Sequence, residues 1–186
     1  MNIRIGSSTD VLTAASESAP LIGARSAKVT ITVRKALTED SPAACAALRR
    51  SIVECCHEDH GGNRAIIEAW LVNKTPETVR AWILSPGYAV VAEREGAIVG
   101  TAMLDQDGKV SLCYLLPEAR FVGAGKAMLC VLEVEAQKRG QKHIELGSTK
   151  TVHDFYKRQG YTDTGKIQSA FGLSAPILTD FGDGEK

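Results

Sequence analysis

Residues 120–126 read Arg120-Phe121-Val122-Gly123-Ala124-Gly125-Lys126 and lie between a run with strand character and a run with helix character. On the N-terminal side, Lys109 to Leu116 follows an Asp107-Gly108 turn and reads as a strand. On the C-terminal side, Met128, Leu129, Leu132 and Ala136 recur at helical steps and make one apolar stripe. The expected helix runs from about Gly125 to Arg139, with Lys138 and Arg139 in the last turn and Gly140 closing it. A strand at His143 to Gly147 comes next. If the helix crosses over the sheet, this strand is parallel to the one before it, and the glycine loop sits in the corner of a β-α-β unit.

Such a corner has its own chemistry. The first N–H groups of a helix are unpaired and carry partial positive charge, so they attract an anion such as a phosphate or pyrophosphate. Gly123 and Gly125 let the backbone approach it closely, while Arg120 and Lys126 add fixed positive charge. Ordinary strand-to-helix turns share this pattern, so alone it names no ligand.

Working outward, Val29 to Val33 alternates β-branched residues and reads as a first strand. Ser41-Pro42 opens a helix whose Cys45, Leu48, Ile52 and Cys55 share one apolar face, which makes Cys45 and Cys55 core fillers. After Gly61-Gly62 come Ile66 to Leu71 and a second capped helix opening at Thr75-Pro76. Tyr88 to Glu93 and Ala97 to Leu104 form a hairpin about Glu95-Gly96, so three antiparallel strands precede the loop. A short amphipathic helix, Val152 to Gln159, ends at Gly160.

Composition bounds the function. With 186 residues, 44% of them hydrophobic, the chain can bury one substantial core. Lys plus Arg and Asp plus Glu both number 22, which gives no electrostatic footprint for nucleic acid. No apolar run approaches the roughly 20 residues that span a bilayer. Five cysteines without a CxxC pair point to a reducing, cytoplasmic setting. Residues 1–28, rich in Ser, Ala and Gly, are expected to be a flexible leader, residues 29–180 a single domain, and residues 181–186 a frayed end.

The combination Tyr114-Leu115-Leu116-Pro117, Arg120-x-x-Gly123-x-Gly125 and Phe155-Tyr156-x-x-x-Gly160-Tyr161 resembles the GNAT acetyltransferase superfamily, in order and spacing from about Val29 to Leu173. The resemblance implies an α/β fold of the α+β type: a mixed, mostly antiparallel central sheet of six or seven strands with a splayed parallel pair, flanked by about four helices. It implies an acetyl-CoA-dependent N-acetyltransferase that moves an acetyl group to an amine of a small molecule or peptide. The amine would attack directly in a ternary complex. A noncatalytic acyl-CoA-binding or sensory domain is the alternative, and a homodimer is compatible with the resemblance.

The resemblance also assigns residues. The pantetheine arm of acetyl-CoA would pair with the backbone of Tyr114 and Leu115, a free N–H near Leu115 serving the oxyanion. The pyrophosphate would sit on N–H groups of Phe121, Val122, Gly123, Ala124, Gly125 and Lys126, with help from Arg120. Thr149 stands where the family often has Asn, and Tyr156 matches the general acid that faces the thioester sulfur. Two departures matter: Phe121 and Val122 replace a Gly and a basic residue common in the family, and Thr149 lacks the amide donor.

The acceptor side is expected from Glu54-Cys55-Cys56-His57-Glu58-Asp59-His60, a segment dense in titratable groups. An acceptor amine must be neutral to attack, so a base is needed. His60, acting directly, and Glu54, acting through water, are the candidates carried forward. His57 and Glu145 are rivals, and Asp59 is a candidate to hold the amine. Cys56 and His60 share a helical face with Asp59 nearby, but a fourth ligand at recognisable spacing is lacking, so no metal is expected.

Overall fold

The computed structural model describes residues 30–170 and 173–180. The leader expected at 1–28 and the frayed end at 181–186 lie outside the described residues. Strands β1 (Ile31–Lys35), β2 (Tyr88–Arg94), β3 (Ala97–Leu104), β4 (Lys109–Leu115), β5 (Ile144–Gly147), β6 (Thr162–Ala170) and β7 (Leu173–Asp180) form one sheet in the order β1-β2-β3-β4-β5-β7-β6. All neighbouring pairs are antiparallel except β4 and β5. The helix between those two, α5 (Ala124–Lys138), is therefore the crossover of the β-α-β unit.

The remaining helices are α1 (Ser41–Cys55), α2 (His57–His60), α3 (Arg64–Leu71), α4 (Pro76–Leu84) and α6 (His153–Arg158). Among the described residues six stand where about four were expected. The difference lies in the stretch after α1, where the chain makes the single turn α2 and restarts at Asn63, whose side chain accepts the Ala65 N–H at 3.0 Å. Thr75 caps α4 in the same way through the Thr78 N–H at 3.2 Å, with Pro76 in the first turn as its sequence predicts.

Strand alternation divides the core in two. On β2, Val90 and Ala92 face α5 and join Met128, Leu129, Leu132 and Ala136. Ala89 and Val91 face the other way, onto Ala44, Cys45 and Val79 of α1 and α4. On β4 that alternation breaks. Val110 pairs with Leu104 and Leu112 with Met103, so Ser111 is an extra residue, a β-bulge. Because of it Cys113 and Leu115 face α5 like Val110, while Leu112 and Tyr114 face α1.

An ion-pair knot fixes the start of α1 to the sheet. Arg34 holds both Asp40 oxygens at 2.7 and 2.9 Å and Glu93 at 2.6 Å, and Asp40 also accepts the Leu37 N–H at 2.7 Å. The Arg34 hydrogen bond, followed by that from Leu37, holds the Asp40 carboxyl below its ordinary value. A lowered folded value means the stabilisation is present above the ordinary carboxylate range and is lost as pH falls through the folded value. Asp40→Asn is expected to cost about 2 kcal/mol at pH 7. In urea titrations the gap between variant and wild type closes as the pH drops below about 4.

Gly100 on β3 lies opposite Leu115. An added Cβ there would collide with Leu115 Cδ2 and stand 2.9 Å from the Tyr114 carbonyl oxygen. Gly100→Ala is expected to destabilise by about 1–3 kcal/mol, read as a lower urea midpoint at unchanged slope.

Candidate functional site

The parallel pair is short. β4 and β5 are in register only at Lys109–Glu145 and Val110–Leu146, after which they separate at the Ser111 bulge. A cavity of about 500 Å³ opens at the separation. Its walls come from both faces of the sheet: Cys113, Leu115 and Tyr156 on the α5 side, and Ser51, Cys55, Cys56, Leu112 and Tyr114 on the α1 side.

Hydrogen-bond alternation decides which backbone groups reach this gap. The Leu116 N–H donates to Val99 O at 2.8 Å, and Tyr114 is in register with Thr101. In an antiparallel ladder this commits the backbone of Leu116 and Tyr114 to β3 and turns the N–H and C=O of Cys113 and Leu115 into the gap. Of the two expected pantetheine partners, Leu115 has its backbone in the gap, together with that of Cys113, while Tyr114 has its backbone turned to Thr101. The Tyr114 side chain packs on the α1 side with Ile52, Cys56 and Trp70, where burial raises its hydroxyl pKa.

The loop leads directly into α5. Gly123, at φ 89°, caps α5, and its carbonyl accepts the Ala127 N–H at 3.0 Å. The N–H groups of Phe121, Val122, Gly123, Ala124, Gly125 and Lys126 have no acceptor among the described residues. Phe121, Gly123, Gly125, Lys126 and Arg120 line the cavity. The two glycines serve different ends. Gly123 provides the left-handed turn, whereas a Cβ on Gly125 would come within 3.1 Å of the Phe155 ring. Phe121 itself holds a left-handed φ of 63°.

The aromatic motif builds the opposite wall. Phe155 packs against Gly125, Tyr156 is buried at the cavity, and Tyr161 is buried beneath it with its hydroxyl donating to Glu133 at 3.0 Å. The Tyr156 hydroxyl and the Cys113 thiol are neighbours on the cavity wall. Burial raises the Tyr156 hydroxyl well above its ordinary value and pushes the Cys113 thiol up to about 11. Both are protonated at neutral pH, so Tyr156 is a donor there and not a base. Cys113 escaped the sequence reading because a regular alternation through Ser111 puts it on the wrong face.

Thr149, also on the lining, has a buried hydroxyl with no hydrogen-bond partner. An unsatisfied buried hydroxyl facing a cavity is a place for a polar ligand atom.

The acceptor segment is arranged differently from expectation. His60 is buried, with Nε2 3.1 Å from the Ile52 carbonyl and Nδ1 accepting the Gly62 N–H at 3.0 Å. A carbonyl partner requires the proton on Nε2 and the amide partner uses the Nδ1 lone pair, so this imidazole has no basic site to offer. Glu54 is exposed, held by Arg50 at 2.8 Å, and pushed by that contact below its ordinary value, which weakens it as a base. Neither residue lines the cavity, and neither do His57 and Glu145. Asp59 is spent on the turn at Lys150–Val152, accepting the Lys150 N–H at 2.7 Å and the Thr151 hydroxyl at 2.6 Å. It thereby ties the acceptor segment to the chain leading into α6. Cys55, read as a core filler, is half-buried on the lining, and burial pushes the Cys56 thiol up to about 12. Among the described residues no three His, Cys, Asp or Glu side chains gather for a metal ion, and no helix is long and apolar enough to cross a membrane.

Residues 56–175 match the family model described as an acetyltransferase (GNAT) domain. No curated protein matches the chain. Among solved structures, a GCN5-related N-acetyltransferase from Rhodopseudomonas palustris is similar at 22% identity and a TM-score of 0.72, over 84% of this chain and 98% of that one. The PaiA N-acetyltransferase from Thermoplasma acidophilum, in complex with coenzyme A, is 20% identical with a TM-score of 0.66, covering 81% of this chain and 98% of its own. YncA from Salmonella typhimurium, with its cofactor acetyl-CoA, is 20% identical with a TM-score of 0.60, covering 81% and 92%.

Proposed function

Because the chain belongs to the GNAT acetyltransferase family and is an acyltransferase, we propose that it transfers the acetyl group of acetyl-CoA to an amine by direct attack in a ternary complex. One observation carries this reading. A single cavity joins the unpaired N–H groups of residues 121–126, the inward-facing backbone of Cys113 and Leu115, and the protonated hydroxyl of Tyr156.

The pyrophosphate takes the loop N–H groups, which stay positioned because the helix and Gly123 fix them. Arg120 and Lys126 add charge at the rim. The pantetheine arm extends β4 as a short strand, hydrogen-bonded to Cys113 and Leu115, and Thr149 gives its hydroxyl to the coenzyme. The Leu115 N–H then points at the thioester carbonyl oxygen. The acceptor nitrogen donates its lone pair to that carbonyl carbon, negative charge moves to the oxygen and onto the N–H, and the carbon–sulfur bond breaks as the carbonyl re-forms. Tyr156 hydrogen-bonds the leaving thiolate. Its raised pKa keeps the proton on the phenol oxygen, so Tyr156 stabilises the thiolate by donating a hydrogen bond and not by completed proton transfer, since a thiol near 8.5 is the stronger acid.

The acceptor enters from the α1 side, past Ser51, Cys55 and Cys56. With His60 and Glu54 otherwise engaged, the acceptor, a small molecule or a peptide end, arrives as the neutral amine, and the proton its nitrogen sheds as the amide forms passes through cavity water to the departed thiolate. The test is a thiol-release assay with acetyl-CoA and a panel of amino acids, polyamines, aminoglycosides and peptides, each product weighed by mass spectrometry. One thiol per acetylated amine is expected, with kcat/KM rising with pH toward the acceptor's own pKa. Coenzyme binding without thiol release for any amine would instead make the chain a noncatalytic acyl-CoA sensor.

A further inference from the structure

Phe121 is the most exposed of the large apolar side chains among the described residues, at 93%. It also adopts a left-handed φ of 63°, a conformation that Gly would take without strain. Burying no ring and straining the backbone are both unfavourable in the free protein, so the side chain contributes nothing there to offset them. Its surroundings point outward to a ligand. The Arg120 guanidinium lies 5.0 Å from the ring centroid, and Arg120, Phe121 and Lys126 together form the rim of the cavity. The Phe121 N–H begins the row of unpaired donors.

We propose that the Phe121 ring is a stacking face for the adenine of the coenzyme, held in orientation by Arg120. This rests on the reading of residues 121–126 as the pyrophosphate seat. A nucleotide whose phosphates lie on those N–H groups carries its base just beyond the loop, and the flat surface available there is this ring. Arg120 accounts for the ring's pose through a cation–π contact, and the ring's exposure leaves area for a second flat partner. The aromatic side chain thus replaces, by stacking, part of the affinity that a basic residue on the loop would supply through phosphate contacts.

The test compares two donors on the full chain by calorimetry: acetyl-CoA, and acetyl-phosphopantetheine, which has the same arm and its first phosphate but lacks the second phosphate and the 3′-phosphoadenosine. Phe121→Ala keeps a non-glycine residue at the same φ, so backbone strain is matched. It is expected to weaken acetyl-CoA by about 10-fold and to leave acetyl-phosphopantetheine within about twofold, with unchanged thermal midpoint. Phe121→Trp is expected to bind acetyl-CoA at least as tightly as wild type. Equal loss for both donors, or no loss for either, overturns the stacking while leaving the pyrophosphate seat intact. Absence of acetyl-CoA binding by the wild type overturns the seat and the stacking together.

Discussion

Tyr156→Phe lowers kcat by about 100-fold and leaves the KM for acetyl-CoA within about threefold. The magnitude follows from removing the one positioned side-chain donor that faces the departing thiolate. The hydroxyl lies at the cavity beside the Cys113 thiol. Without it the nearest side-chain donor on that wall is the half-buried Cys113 thiol, whose own pKa is pushed up to about 11, a poor donor at neutral pH. The ring itself remains, so the contacts with Phe155 and Tyr161, at centroid distances of 5.2 and 5.8 Å, hold the wall in place. The pH profile adds a second readout. Because burial raises the Tyr156 hydroxyl well above its ordinary value, the proton stays on oxygen through the assay range. The wild-type rate therefore shows no alkaline fall up to about pH 10. Steady-state kinetics on both proteins check both statements.

Gly123→Val weakens acetyl-CoA by about 10- to 100-fold and lowers kcat at saturating donor by less than about threefold, the loss of one or two charge-assisted hydrogen bonds at about 1.5–3 kcal/mol each. At φ 89° the backbone of Gly123 is left-handed, a region that a β-branched side chain avoids. Space is not the obstacle, since a Cβ there meets nothing within 4 Å. The turn must change its dihedrals, and with them the directions of the N–H groups from Phe121 to Lys126. Calorimetry gives the affinity, and turnover at saturating donor gives the rate.

These two residues show what was legible in the chain. A left-handed glycine at the start of an amphipathic helix, and a motif that seats Phe155 on Gly125, Tyr156 at the cavity and Tyr161 in the core, are local and spaced, so sequence carries them. The β-α-β corner was legible for the same reason. Helical periodicity on one side and strand character on the other leave the loop one place to be.

What escaped is non-local. The Ser111 bulge exists because β3 and β4 pair in a particular register, and nothing within Lys109 to Leu115 marks it. Yet that one extra residue swaps the roles of Cys113 and Tyr114. The surroundings of the acceptor segment were hidden for a related reason. Its titratable groups are dense in sequence, but their partners are Ile52, Gly62, Arg50, Lys150 and Thr151, contacts fixed only when the chain has folded. A concentration of His and Glu in sequence signals chemistry only if their lone pairs stay unused.

The most direct test of the coenzyme's seat is a backbone amide titration by nuclear magnetic resonance, adding acetyl-CoA to the wild-type protein. The amides of Phe121 to Lys126, with those of Cys113 and Leu115, are predicted to shift together and saturate at one equivalent, while the Tyr114 amide, bonded to Thr101, moves least along β4. Saturable binding that leaves the 121–126 amides unmoved, or no saturable shift at any of these residues, would contradict the placement of the coenzyme in the gap between β4 and β5.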